Sequence, residues 1–374
     1  MRWWRQVSRW AILLAVTVAV TVPLTKLGVP SAALFAALVV GMVAALTSAG
    51  PARVPRRLGV AAQGVLGVYI GTMVQQDALS ALRDDWAIVL GVAVGTLVLS
   101  VIAGALLGMR RDVTALTGSL ALVAGGASGL VAIARELGGD DRVVAVVQYL
   151  RVALVTASMP VVVTVIYHAD RSRAAPEAME NSTAPWYLSL AVMVALVVVG
   201  ALGGRLIRLP GAGLLGPLAL TVALEVSGLS FGLSVPVLLV QAGYMLIGWQ
   251  AGLAFTRESL KSVGRLLPAA LGLIVFIGVA TAGLGIVLAR VAGLTPLEGY
   301  LATSPGGVYA VLATAVETGS NVTFVIAAQV VRILLMLFAA PFLARAVVWA
   351  GRRFGKGQSR AITAESREPI RVAD

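Results

Sequence analysis

Arg151 and Arg332 stand 181 residues apart, each inside a long apolar run, with Gln148 and Gln329 three residues earlier. On a helix that spacing places Gln and Arg on one face. A guanidinium held in an apolar segment is costly, and its planar fork of donors suits carboxylates and other anions. Upstream of each arginine, the apolar run is interrupted, by Gly125-Gly126 in one place and by Ser304-Pro305-Gly306-Gly307 in the other. Proline removes an N–H and paired glycines weaken a helix, so both segments are expected to break there. Freed N–H groups and a half-helix N-terminus make a partial positive site for an anion. Thr303, Ser304, Tyr309 and Gln329 are the candidate polar groups around it. Two blander readings stay open: a packing kink without ligand, and arginines that cap carbonyls freed by the break. If each broken segment and the following helix form an antiparallel hairpin turning near Asp140 and Asn321, Arg151 faces Gly129 and Arg332 faces Ala310.

The elements that position these groups belong to a membrane protein. Of 374 residues, 59% are hydrophobic and 12% charged, with a mean hydropathy of +0.94, whereas a soluble domain carries about 25% charged residues. Too little polar surface remains to cover a water-facing globule. The net charge of +12 fits Lys and Arg concentrated in cytoplasmic loops. Zero cysteines and one histidine, His168, leave no thiolate site and no imidazole cluster for redox metals. No cofactor is expected, and no P-loop is present.

Apolar stretches bounded by charge or by Gly and Pro predict about twelve segments, near 10–28, 31–47, 60–75, 86–108, 116–136 and 143–167, then 186–207, 211–227, 235–255, 266–292, 297–317 and 322–348. Arg2, Arg5 and Arg9 hold the N-terminus in the cytoplasm, with Trp3, Trp4 and Trp10 suited to the interface. Residues 168–185 read as a polar linker and 350–374 as a polar, disordered tail.

A duplication runs through this pattern. The segment from Ser119 aligns without a gap on that from Tyr300, pairing Gly125-Gly126 with Gly306-Gly307, Glu136 with Glu317, Gly138 with Gly319 and Pro160 with Pro341, besides the Gln and Arg pairs. The same offset pairs Gly67 and Gly71 with Gly248 and Gly252, small-xxx-small faces that suit close helix packing. Shared hydrophobicity cannot align Glu, Gln, Arg and Pro. The organisation expected is a membrane helix over 1–30, a first repeat over 31–167, the linker, a linking helix over 186–209 and a second repeat over 210–349. Arg53/Arg56/Arg57, Arg110/Arg111, Arg205/Arg208, Arg257/Lys261/Arg265 and Arg352/Arg353/Lys356 all belong on one side only if each half crosses an odd number of times, for instance with re-entrant GG segments. That favours inverted repeats.

The stretch TSPGGVYAVLATAVETGSNVTFVIAAQVVRILLMLFAAP, its degenerate copy and the glycine-bearing IGWQAGLAF resemble the AbrB family of duplicated bacterial membrane proteins, over roughly 10–350. Its members carry the labels of transcriptional regulator or ammonia monooxygenase. The resemblance implies a distant kinship with cation–proton antiporter and anion-transporter folds, built from inverted repeats with broken helices. Ala124-Gly-Gly departs from Ser304-Pro-Gly-Gly, so an asymmetric site is expected.

The fold expected is therefore an all-α polytopic bundle of 10–12 spans in the bacterial cytoplasmic membrane, both termini inside. Two-fold repeats with midplane breaks characterise secondary transporters. Most carboxylates lie in loops, Glu225 and Glu317 being weak candidates for ion coupling, so a small anionic or zwitterionic solute is expected. The substrate-binding set is Gly125, Gly126, Gln148, Arg151, Thr303, Ser304, Gly306, Gly307, Tyr309, Gln329 and Arg332. Expected partners are lipid and the solute, with a coupling ion and self-association left open. The alternative is a membrane sensor acting indirectly on gene expression. Direct nucleic-acid binding is not expected without a basic domain. Neither is an enzyme: one loop histidine cannot build a monooxygenase copper site.

Overall fold

The computed structural model describes residues 2–27, 31–51, 53–74, 86–110, 113–124, 127–169, 185–207, 211–228, 233–255 and 263–354, with 29, 209, 257 and 261 singly. They form fourteen helices and, among the described residues, no strand. In chain order these are α1 (Arg2–Lys26), α2 (Ala32–Leu46), α3 (Arg56–Gly71), α4 (Trp86–Gly108), α5 (Ala115–Leu122), α6 (Ala127–Glu136) and α7 (Asp141–Val161), which continues as a π-helical turn over Val162–Ile166. Then come α8 (Trp186–Leu206), α9 (Ala212–Val226), α10 (Val237–Gly252), α11 (Leu267–Val291), α12 (Pro296–Thr303), α13 (Val308–Glu317) and α14 (Val322–Phe354).

Helix starts follow local chemistry, and the same chemistry returns 181 residues later. Thr114 accepts from the Thr117 N–H to cap α5, and Thr295 forms a capping box with Glu298 at α12. Asp140 caps α7 through the Arg142 and Val143 N–H groups, and Asn321 accepts from Phe324 N at the start of α14. Each predicted segment at 116–136 and 297–317 divides into two short helices, α5 with α6 and α12 with α13.

Among the described residues, six helices are long and apolar enough to cross a membrane: α1, α4, α7, α8, α11 and α14. Exposed apolar side chains such as Ile12, Val98, Val198 and Val279 form the rim of α1, α4, α8 and α11. The shorter α2, α3, α9 and α10 sit inside, paired across the halves. A Cβ on Gly248 would meet Leu34 O, and one on Gly252 would meet Leu38 O, so α10 runs parallel to and pressed against α2. Gly67 and Gly71 do the same against Leu214 O and Thr221 of α9. These glycines serve helix packing, as their small-xxx-small spacing predicts. Between α3 and α10, Gly59 lies against Gln250 while Gly243 lies against Ala62 and Leu66. Those two helices, 181 residues apart in sequence, run antiparallel.

Candidate functional site

The α5–α6 and α12–α13 pairs are helical hairpins. The α5 side chain Thr117 Oγ1 accepts from Asp140 N at the α6–α7 turn (2.9 Å), so α5 begins where α6 ends. Glu298 Oε1 likewise accepts from Asn321 N at the α13–α14 turn (2.7 Å). The two hairpins open on opposite faces of the bundle. Arg110 at the foot of α4 donates to Arg265 O, and Arg257 Nε donates to Leu46 O, which gathers three basic loops and the mouth of the first hairpin on one face. Glu317, at the mouth of the second hairpin, accepts from Ser31 N at the far end of α2.

This geometry brings the arginines together. Arg151 and Arg332 each lie ten residues into α7 and α14, about 15 Å from opposite faces, roughly the middle of a bilayer core of about 30 Å. The Arg151 guanidinium lies within electrostatic reach of Arg332. Both are buried, and among the described residues neither is paired with a carboxylate.

Each arginine binds the carbonyl end of a broken helix. Arg151 Nη1 donates to Leu122 O at 3.1 Å; Arg332 Nη1 donates to Thr303 O at 3.1 Å and to Ser304 O. Gln148 Nε2 reaches Leu120 O and Val123 O, and Gln329 Nε2 reaches Leu301 O, Ala302 O and Ser304 O. The arginines thus reach the end of the first hairpin limb. That limb runs parallel to α7 or α14, and its last carbonyls, without intrahelical partners, attract the guanidinium. The Nε of both arginines has no protein partner among the described residues.

The other half of the break supplies positive ends. α13 starts at Gly307, with no side chain capping its first N–H groups. That start is pressed against the middle of α7: a Cβ on Gly306 would lie 3.0 Å from Val155, and one on Gly307 would lie 3.3 Å from Val152 and 3.4 Å from Thr156 Oγ1. Thr156 is 4% exposed, and its hydroxyl has no partner among the described residues. Ser304 Oγ, fully buried, lies beside the Tyr300 phenol without reaching hydrogen-bond geometry. A buried helix N-terminus, two hydroxyls and two unneutralised guanidinium groups therefore share one region.

Of the predicted residues, Gln148, Arg151, Ser304, Gly306, Gly307, Gln329 and Arg332 come together here. Thr303 is adjacent, but its hydroxyl is spent on Thr281 O and Gly299 O, tying α12 to α11. The Tyr309 ring packs against the larger apolar core. Gly125 and Gly126 lie outside the described residues. Thr156 was not in the predicted set; Leu337 stands 181 residues further on, so the offset gave it no mark, and only its approach to Gly307 reveals it.

A helical bundle with six membrane-competent helices and two opposed hairpins meeting at buried arginines defines a multi-pass membrane-protein class. Within it, the chain belongs to the AbrB family, described as "Transition state regulatory protein AbrB", which matches residues 34–348. It is 31% identical over 343 residues to "Putative regulator AbrB" of Escherichia coli (strain K12), covering 91% of this chain and 96% of that one. It is also 26% identical over 299 residues to "Uncharacterized protein YhjN" of Bacillus subtilis (strain 168), covering 76% and 77%. No solved structure matches the chain.

Proposed function

We propose that the protein is a secondary transporter of a small anionic solute, moved chemically unchanged through a site at the hairpin tips. One observation carries this reading: the uncapped N-terminus of α13 faces the buried Thr156 hydroxyl beside two guanidinium groups, and among the described residues the hydroxyl has no partner and the guanidinium groups no carboxylate. Guanidinium groups bonded only to neutral carbonyls and amides keep their charge, and a buried uncompensated charge is costly. A bound anion offsets that cost.

The topology proposed with it is ten crossings, two hairpins and two inverted repeats in the bacterial cytoplasmic membrane. Counting α1–α4 and α7 gives five crossings per half, an odd number. The antiparallel α3 and α10 support inversion, and the basic face gathered by Arg110, Arg257 and Arg265 supports a cytoplasmic assignment for it. Both termini then lie inside, the first hairpin enters from the cytoplasm and the second from outside. Hairpins with unwound tips at the midplane are tolerated where they line a cavity.

The test is a thermal-stability series on detergent-purified protein with mono- and dicarboxylates, inorganic oxyanions and amino acids. A ligand that binds only the folded state raises stability by RT ln(1 + [L]/Kd). The expected result is a saturable shift for a subset of anions, weakened in Thr156→Val and abolished in Arg332→Ala. A cooperative melt that no anion shifts refutes the site. A membrane sensor acting indirectly on gene expression is the second reading, resting on the name of the Escherichia coli relative. A regulatory phenotype that survives Arg332→Ala and Thr156→Val would favour it.

A further inference from the structure

At the opposite end of α13 lies a second cluster of oxygen atoms. Glu317, the last residue of that helix, accepts a hydrogen bond from Ser31 N at the start of α2. Tyr69 of α3 and Tyr244 of α10 lie within electrostatic reach of its carboxylate. Ser31 and Tyr244 are 1% and 2% exposed, and neither hydroxyl has a partner among the described residues. Residues of four helices drawn from both halves thus surround one carboxylate, held directly by Ser31 N, with the Ser31 and Tyr244 hydroxyls buried and without a partner among the described residues.

We propose that Glu317, Ser31, Tyr69 and Tyr244 form a sodium site that is coupled to the anion pocket through α13. Carboxylate, hydroxyl and phenol oxygens are hard donors, which suit a hard cation. A single carboxylate balances a single charge, which selects a monovalent ion over a divalent one. The C-terminus of a helix is the negative end of its dipole, and the N-terminus the positive end. α13, ten residues long and so about 15 Å from end to end, therefore presents one end to a cation and the other to an anion.

The coupling part of the proposal rests on the anion reading; the sodium site does not. A cation held between Glu317 and Ser31, Tyr69 and Tyr244 fixes the second hairpin against α2, α3 and α10, and with it the Gly306-Gly307 edge beside Thr156. Each ligand then raises the affinity for the other by the same factor, as linkage requires. The copy of Glu317 in the first half, Glu136, is exposed, so one such site is expected per chain.

The experiment measures the thermal stability of the full chain in detergent at fixed pH and ionic strength, with sodium chloride replaced stepwise by potassium or N-methylglucamine chloride. The series is run without and with a carboxylate that stabilises the protein. A saturable, sodium-selective shift is expected even without the carboxylate. It is expected to be lost in Glu317→Gln, to need at least tenfold more sodium in Tyr244→Phe, and to be unchanged in Glu136→Gln. Ser31→Gly keeps the N–H and removes only the hydroxyl, at a φ of 53° that glycine adopts freely; it carries the test if Glu317→Gln does not fold. A wild-type melt indifferent to sodium, a shift that follows pH in place of sodium, or one that survives Glu317→Gln and Ser31→Gly overturns the site. A sodium shift without any carboxylate shift refutes the anion pocket and leaves the site standing. Both shifts present but independent of one another overturn the coupling.

Discussion

The two buried glutamines make a controlled pair. Gln148 and Gln329 occupy equivalent places and are both fully buried, yet their bonding differs. Gln329 Nε2 donates to Leu301 O at 2.7 Å and to Ala302 O and Ser304 O at 3.3 Å, while its Oε1 accepts from Arg332 Nη2 at 2.6 Å. Gln148 Nε2 donates to Leu120 O at 2.9 Å and Val123 O at 2.7 Å, but its Oε1 has no partner among the described residues. Methionine keeps the unbranched shape and removes the amide. In either half, loss of the donor leaves buried carbonyls short of a partner, at about 1–3 kcal/mol. Only in the second half is a bond to a charged group lost as well, worth about 1.5–3 kcal/mol, whereas in the first an unsatisfied oxygen is relieved. Gln329→Met is therefore expected to cost about 2–4 kcal/mol more than Gln148→Met. Unfolding of the purified variants by SDS in mixed micelles, followed by tryptophan fluorescence, reads the difference. Equal costs, or a larger one for Gln148→Met, would refute the account of how the hairpin tips are held.

Other consequences are as specific. Gly252→Ala is expected to destabilise by about 1–3 kcal/mol, because its Cβ lands on Leu38 O and Met42 N, while Gly278→Ala, with nothing within 4 Å, is expected to be neutral or mildly stabilising in the same titration. The chain has no cysteine, which suits accessibility mapping: Leu137→Cys should react with an impermeant thiol reagent only from the cytoplasmic side, and Ser320→Cys only from outside. Reaction of both from one side would refute inverted repeats. Arg332→Lys should lower both stability and anion affinity, since a point charge cannot bond Thr303 O, Ser304 O and Gln329 Oε1 with the same planar fork; unchanged affinity in a folded protein would remove Arg332 from the site.

What could be read in the sequence was whatever leaves a periodic or compositional mark. The Gln-x-x-Arg pairs stood out because polar residues are rare in apolar runs, and glycine pairs marked both tips because backbone breaks need them. The direction of the hairpins was not visible in the breaks themselves. It depends on Thr117 meeting Asp140 and Glu298 meeting Asn321, contacts 23 residues apart that no local pattern encodes. The capping role of the arginines was one of two open readings, and the structure shows the bonds to Leu122, Thr303 and Ser304 without removing the charge. Thr156, Tyr69 and Tyr244 left no sequence signal, being single polar side chains brought to their partners by tertiary packing. Glu317 read as a helix-end residue near the membrane surface and only a weak candidate for ion coupling, because the sequence does not show that α2 begins beside it.

The central claim is that an anion crosses at the hairpin tips, and counterflow in proteoliposomes tests it most directly. Vesicles loaded with an unlabelled carboxylate that stabilises the purified protein would be diluted into a trace of the labelled compound. Transient accumulation is predicted in wild-type vesicles, strongly reduced accumulation in Thr156→Val and no accumulation in Arg332→Ala, both variants shown to be folded. Wild-type vesicles that accumulate no more label than empty ones, for every anion that binds, would contradict it.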